Sequence, residues 1–236
     1  MKKLFTLIAL FVSIQCFAQI ETETHVIWQP GAKLTFEMFQ GTAPDSAHVK
    51  KMTDMHIFHQ VSTGLWSALD VPDSKKGWKK GMVEKYSFCA AMEKGSSFFI
   101  VKDSTELKYA QLIWDICELA TRFVRKGLTE FVEEANEGLD KPANGLISIQ
   151  YLTCLNDGKE FGREVTHALF DDVITTHDET AYQKYREQVD QLLQEWEAYA
   201  TTEEEIKRIL TNTPEKGYKL APTLNPDLKN RGTIRY

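Results

Sequence analysis

One segment, residues 103–137, constrains the fold of this chain more than any other. It contains no proline, and Gly127 is its only glycine, so nothing in it forces an early break. Asp103 stands three residues before Glu106, a spacing that suits a helix N-cap. Two apolar series at helical intervals cover most of the helix circumference. The segment therefore predicts a long helix in the middle of the fold.

The residues before this helix predict strands, and those after it predict helices. Strands are expected at 26–28, within 52–71, and in a hairpin formed by 86–92 and 97–101 around a turn at 93–96. Loops are expected at 42–50 and 72–81, and helices within 146–155, 161–173, 178–200 and 201–210. The predicted fold class is α+β: an N-terminal antiparallel sheet packed on a long central helix, with a helical C-terminal half.

The first 18 residues predict a secretory signal peptide. Two lysines precede an apolar run that is too short for a membrane span, and the run ends in a small-x-small pattern at Ala18. Lipidation of Cys16 fits less well, because Ser-Ile-Gln before the cysteine is a poor match to the small residues that such a site prefers. We therefore expect a secreted protein (periplasm, outer surface or extracellular), with one domain at 19–210 and an extended tail at 211–236. No other segment predicts a transmembrane helix.

Charge and cysteine content exclude some classes of protein. Removal of Lys2 and Lys3 with the signal peptide changes the formal charge from −6 to −8, which disfavours nucleic acid as a partner. The remaining cysteines are Cys89, Cys117 and Cys154. An odd number rules out a fully paired framework. Buried thiols are expected, and if one disulfide forms, the sequence does not choose its pair.

Several short segments form a recognisable pattern because of the order in which they occur along the chain. Trp28 precedes Leu-Thr-Phe-Glu-Met-Phe-Gln-Gly at 34–41, the strand at 97–101 ends before the long helix, and Asp-Val-Ile-Thr-Thr-His occupies 172–177. In this order, these segments resemble a family of secreted bacterial proteins of unknown function with a zincin-like, metalloprotease-like fold. The resemblance extends to about residue 195 and implies that fold. On the long helix, the retained framework residues are Gln111, Asp115, Glu118, Arg122 and Arg125.

The chain departs from the family at the positions that carry its chemistry. The His-Glu-Gln-x-His motif of the family would place its histidines at 109 and 113 and its glutamate at 110, where this chain has Tyr109, Ile113 and Ala110. Two imidazoles four residues apart bind one zinc ion, and the carboxylate takes a proton from the metal-bound water. Isoleucine and alanine supply neither group, and a neutral phenol is a poor zinc ligand. The resemblance with this departure predicts a catalytically inactive zincin-like protein without a cofactor, in a binding or structural role.

Other polar residues were weighed as alternative sites. Asp115 and Glu118 would share a helix face as a carboxylate pair, but Glu118 lies four residues before Arg122, which favours an ordinary surface ion pair. A hydrolase with a relocated site near His167 and His177 is the rival prediction, although their spacing fits no standard metal pattern. His56 and His59, placed on one strand, would face opposite sides.

A third prediction is a surface module that binds a glycan or a protein. The loop at 72–81 has four lysines around Trp78, although charge runs normally mark exposed segments. No Gly-x-Ser-x-Gly element indicates a serine nucleophile. The sequence names neither the protein or glycan partner nor an oligomeric state.

Overall fold

A computed structural model of the chain describes residues 19–221. The predicted signal peptide and residues 222–236 of the predicted tail lie outside the described residues. The strands are β1 (His25–Ile27), β2 (His59–Gln60), β3 (Thr63–Pro72), β4 (Lys85–Glu93), β5 (Phe98–Phe99) and β6 (Tyr218–Leu220). The helices are α1 (Ser46–Asp54), α2 (Lys75–Lys79), α3 (Ser104–Asn136), α4 (Leu146–Leu169), α5 (Glu179–Glu195) and α6 (Glu203–Thr211). A π-helical segment (Phe170–Ile174) continues α4, and 3-10 turns occupy Phe36–Met38 and Glu197–Tyr199.

The α+β prediction is confirmed. A four-stranded antiparallel sheet in the order β1-β4-β3-β6 has three of its strands in the N-terminal half, and helices make up most of the C-terminal half. The strands β3 and β4 form the longest pair, from Thr63 opposite Met92 to Asp70 opposite Lys85. The zincin-like part of the prediction stays a prediction.

The predicted hairpin at 86–101 is wrong. Strand β4 pairs with β1 and β3, whereas β5 pairs with β2 in a separate two-stranded sheet. The connection between β4 and β5 is bonded to distant loops instead: the Lys94 amide donates to the Thr24 carbonyl, and the Gly41 amide donates to the Ser97 carbonyl. These bonds direct the chain away from the four-stranded sheet after β4, so β5 does not pair with β4.

Two segments predicted as loop or strand contain short helices. Helix α1 covers much of the predicted loop at 42–50 and the start of the predicted strand at 52–71, and α2 lies in the predicted loop at 72–81. Each helix has a side-chain N-cap: Asp45 accepts from the His48 amide, and Ser74 accepts from the Gly77 amide. A cap satisfies an otherwise unpaired amide of the first turn and so stabilises a helix of low apolar content.

The described part of the predicted tail is extended, but it is held by the sheet. Strand β6 pairs with the end of β3, with Asp70 opposite Leu220. The Ala221 amide also donates to the Leu69 carbonyl. Residues 218–221 are therefore an edge of the sheet and do not form a free tail.

The sheet lies between α3 and α6, as the alternation along β4 shows. Ala90 and Met92 pack against Trp114 of α3, whereas Cys89 and Ala91 pack in a cluster with Ile206 and Ile209 of α6. Successive residues of a strand point to opposite faces, so β4 is covered on both sides. The prediction that α3 is the buried central helix is confirmed: most of its residues from Tyr109 to Arg125 are buried.

Helices α3 and α4 pack very closely at Gly158. A Cβ added there would lie 2.2 Å from Val124 Cγ2 and 3.1 Å from the Ala120 carbonyl oxygen. The valine side chain is β-branched and has little rotamer freedom in a helix, so it cannot move away easily. Glycine at 158 therefore sets the distance between the two helices.

Gly158→Ala is expected to lower the free energy of unfolding by about 1–3 kcal/mol, because the extra methyl group overpacks this contact. Gly127→Ala on α3 is the matched control: its Cβ would lie 3.5 Å from Cys154 Sγ, an ordinary contact. That control should be neutral or stabilising by up to about 1 kcal/mol, since alanine favours a helix over glycine. Urea unfolding of both variants makes the comparison, and equal midpoints would contradict the close packing.

Candidate functional site

The start of α3 is fixed by its cap. Asp103 Oδ1 accepts from the amides of Thr105 and Glu106 at 2.8 and 2.9 Å, as the sequence predicted. Tyr109 and Ile113 point into the cluster that includes Leu169 and Val173.

Positions 109, 110 and 113, where the resemblance would place the metal motif, are closed. Tyr109 is 1% exposed, Ala110 is fully buried, and Ile113 is 2% exposed. Ala110 packs in a different apolar cluster, the one that contains Trp28. Burial, with the nearby carboxylates of Glu179 and Glu106, raises the pKa of Tyr109 to about 12, so this phenol stays neutral in any physiological medium. None of the three side chains supplies a general base or a good metal ligand.

One turn before these positions, Glu106 forms a buried ion pair with a distant histidine. Its Oε2 atom lies 2.5 Å from His59 Nδ1, and both side chains are almost fully buried. The other carboxylate oxygen lies 3.9 Å from Nδ1 of His177. Sequence reasoning missed the His59–Glu106 pair because 47 residues separate the partners. Glu106 looked like part of a helix cap, and nothing local indicated the second contact.

His167 and His177, the two histidines of the predicted relocated site, have different surroundings. His177 is one-third exposed, and its Nε2 atom lies 3.0 Å from the His56 carbonyl. Its ring centroid lies 5.9 Å from that of Tyr109. His167 is exposed in the last turn of α4. In the described range 19–221, no group of three or more His, Cys, Asp or Glu side chains is arranged to hold a metal ion.

The prediction that His56 and His59 share a strand is wrong. His56 follows α1 with a positive φ of 58°, and only His59 lies in β2. The capped helix α1 occupies the residues before His56, so the chain must turn there before it can enter the strand. The two histidines therefore belong to different local structures, and only His59 is buried.

Gln111 and Asp115, two framework residues, attach the N-terminal segment to α3. The Leu34 amide donates to Gln111 Oε1 at 2.9 Å, and Trp28 Nε1 donates to Asp115 Oδ1 at 2.8 Å. Arg186 of α5 donates to the other Asp115 oxygen at 2.5 Å. These contacts join the beginning of the chain, α3 and α5. These contacts give Gln111 and Asp115 a structural role, so a catalytic carboxylate pair of Asp115 with Glu118 is not needed to explain Asp115.

Glu118 and Arg122 form the predicted ion pair, but it is buried and does not lie on the helix surface. Arg122 Nε donates to Glu118 Oε1 at 3.0 Å, and both side chains are at most 1% exposed. Glu118 also accepts from the amide and hydroxyl of Thr201 at 3.1 and 2.8 Å. Burial raises the pKa of the Glu118 carboxyl, and the charges of Arg125 and Arg122 oppose that rise. The surface interpretation is wrong because the segment from 193 to 201 covers this face of α3.

Arg125 joins α3, β4 and α6. Its guanidinium donates to the Phe88 carbonyl at 2.5 Å, to the Tyr199 carbonyl at 2.7 Å, and to Glu205 Oε1 at 2.9 Å. A fourth bond reaches Thr201 Oγ1 at 2.9 Å. A planar guanidinium suits such a site because its five N–H groups point in fixed directions. The framework residues thus hold the fold together around α3.

A cavity of about 350 Å³ lies beside position 113. Its walls come from four places: α1, the segment around β2, Ile113 of α3, and the end of α4 with Phe170. The π-helical segment begins at Phe170, and irregular helix of this kind is often found at functional sites. Because Ile113 and His59 both line it, the cavity adjoins both position 113 and the buried ion pair.

Unsatisfied polar atoms gather in the lining of this cavity. Within the described chain, His59 Nε2, Ser62 Oγ, Thr166 Oγ1 and His48 Nε2 are buried and have no hydrogen-bond partner. The first three belong to residues that are at most 4% exposed. Buried polar groups are normally paired, so a group of orphaned atoms around one cavity needs an explanation. No sequence pattern indicated this cavity, since its lining is drawn from four separate parts of the chain.

The lysine-rich segment at 72–81 forms the short helix α2. Its lysines are exposed, and Trp78 is half-buried. The segment therefore presents a charged surface, but its aromatic ring is not fully exposed as the predicted binding surface would require. The glycan- or protein-binding role of this surface stays a prediction.

Comparison of the chain with protein-family models, with curated proteins and with solved structures gives no match. No helix in the described range is long and apolar enough to cross a membrane.

Proposed function

We propose that this protein is a secreted, catalytically inactive zincin-like protein whose role is to bind a ligand. The observation that carries the proposal is the state of positions 109, 110 and 113. Their side chains are buried in apolar clusters, while the polar framework on the same helix is complete. A hydrolytic zinc site needs a base and imidazole ligands at these positions, and this chain has neither.

The cavity beside Ile113 supports binding over a purely structural role. It has a volume in the range of small-molecule sites and combines apolar walls with a few polar groups. Its polar atoms lack partners within the described protein, which fits a site completed by a ligand. We place the binding function at this cavity.

The geometry gives less support to the rival prediction, a hydrolase, than to the binding function. His59 and Glu106 resemble the base and the orienting carboxylate of a nucleophilic site, and Ser62 lines the same cavity. However, neither Ser62 Oγ nor His59 Nε2 has a hydrogen-bond partner in the described chain, so the serine is not activated by this histidine. His167 and His177, the predicted relocated site, do not line the cavity.

A peptide-library digestion tests the proposal. The purified protein, supplied with zinc, is expected to leave the library intact, with the same mass spectrum with and without a chelator. The chelator arm separates metal-dependent cleavage from metal-independent cleavage. Cleavage by the protein that a chelator abolishes and zinc restores would overturn the proposed function.

A further inference from the structure

Three buried polar atoms from different elements belong to residues that line the cavity. His59 lies in β2, Ser62 follows that strand, and Thr166 lies near the end of α4. Each residue is at least nine-tenths buried and lines the cavity, and the described chain offers no partner to His59 Nε2, Ser62 Oγ or Thr166 Oγ1. Leaving such atoms unpaired is costly. A bound molecule that pairs with all three would remove that cost.

The ion pair with Glu106 decides what His59 can offer. An ionised carboxylate only accepts hydrogen bonds, so the 2.5 Å contact places a hydrogen on His59 Nδ1. In an ion pair with Glu106 the imidazole also carries a hydrogen on Nε2, and that group can donate into the cavity. The hydroxyl groups of Ser62 and Thr166 can each donate. The cavity therefore presents three donors. This is the complement of an ionised carboxylate group, whose two oxygens only accept hydrogen bonds.

Most of the remaining lining is apolar. Its apolar side chains are Met52, Met55, Ile57, Val61, Ile113 and Phe170, beside the polar residues His48, Lys51 and Gln60. A methionine adapts its shape to an irregular ligand. Lys51 is exposed on the same lining and adds a positive charge that attracts anions from solution. The surroundings of the polar atoms thus favour a hydrocarbon body attached to one acidic head group.

We propose that the cavity binds a small monocarboxylic acid with an apolar tail, the class that a medium-chain fatty acid represents. The inference rests on the proposed binding function and names its ligand class. The carboxyl group pairs with His59, Ser62 and Thr166, and the tail packs on Ile113 and Phe170. Ile113 stands where the family that the chain resembles has a histidine. In this proposal the Ile113 side chain supplies part of the apolar wall of the cavity.

Isothermal titration with octanoate tests the ligand class. We expect one octanoate per chain with a dissociation constant on the order of 0.1 mM, which is reasonable for about ten heavy atoms. Octanamide has the same shape, but it is uncharged and its NH2 group cannot accept a hydrogen bond, so it should bind at least about tenfold more weakly. Thr166→Val removes a donor at constant volume and should weaken octanoate binding by about tenfold.

Thr63→Val is the matched control. Thr63 is also buried with an unpartnered hydroxyl in the described structure, but it lies on β3 outside the cavity lining. It should leave octanoate binding unchanged. Ser62→Ala provides a second cavity variant with the same expected loss if Thr166→Val does not fold, as judged by its thermal unfolding.

The outcomes separate the two proposals. Absence of saturable octanoate binding, equal binding of octanamide, or an equal effect of Thr63→Val and the cavity variants would each overturn the carboxylic acid assignment. These results leave the proposed binding function in place if the peptide library stays intact. Chelator-sensitive peptide cleavage overturns that function whatever octanoate does.

Discussion

Glu118→Ala is expected to lower the free energy of unfolding by about 3–5 kcal/mol, one of the two largest effects of any single substitution considered for this chain. The change removes the buried carboxylate partner of the Arg122 guanidinium, which keeps only the exposed Glu197, and it removes the acceptor for the Thr201 amide and hydroxyl. Breaking a buried ion pair by removing one partner costs far more than the net contribution of the intact pair. The measurement is urea unfolding followed by circular dichroism.

The control for Glu118→Ala is another carboxylate on the same helix. Glu130 pairs with Lys126 at the same i, i+4 spacing, but 53% of the Glu130 side chain and 34% of the Lys126 side chain are exposed to solvent. Glu130→Ala should change the free energy of unfolding by less than about 0.5 kcal/mol, as exposed pairs usually do. If both variants lost similar stability, the burial assigned to Glu118 would be wrong.

Arg125→Met should cost a similar amount, about 3–5 kcal/mol, by detaching α6 from the sheet. The substitution keeps much of the side-chain volume but removes donors to the carbonyls of Phe88 and Tyr199 and to Glu205. Those acceptors are then left in a site from which water is largely excluded. Hydrogen exchange should show the loss first in the amides of α6 and β4, because Arg125 joins these elements.

Arg163→Met is the matched substitution on a solvent-exposed helix face. Arg163 pairs with Glu160 within α4, and about half of each side chain is exposed. We expect a change below about 0.5 kcal/mol and no altered exchange in α6. Because Glu118 and Arg125 both bind Thr201, the double variant Glu118→Ala/Arg125→Met should lose less stability than the two single losses combined. Strict additivity would contradict a shared network.

The central helix was predictable because its signals are local. Apolar periodicity over 103–137 and the cap at Asp103 both depend on residues within a few positions of one another. The spacing of Glu118 and Arg122 likewise predicted their contact. Their burial was not predictable, because it depends on the segment around Thr201, more than 70 residues later, folding over α3.

Strand pairing and the candidate cavity depended on distant contacts. The segments at 86–92 and 97–101 looked like a hairpin, and only bonds to Thr24 and Gly41 show why β5 leaves the sheet. The His59–Glu106 pair and the cavity are assembled from separate parts of the chain. Histidine, glutamate, serine and threonine at unrelated positions carry no periodic signal, so no pattern in the sequence indicated that they form one group.

The interpretation of α3 as a helix that kept its framework and lost its metal chemistry is tested most directly by metal content. The protein should be purified without chelators, dialysed against micromolar zinc, and measured by elemental analysis beside a chelator-stripped sample. We predict less than about 0.1 zinc per chain in the dialysed sample, because Tyr109, Ala110 and Ile113 offer no ligand set. One zinc per chain that resists dialysis and disappears from the stripped sample would contradict the account.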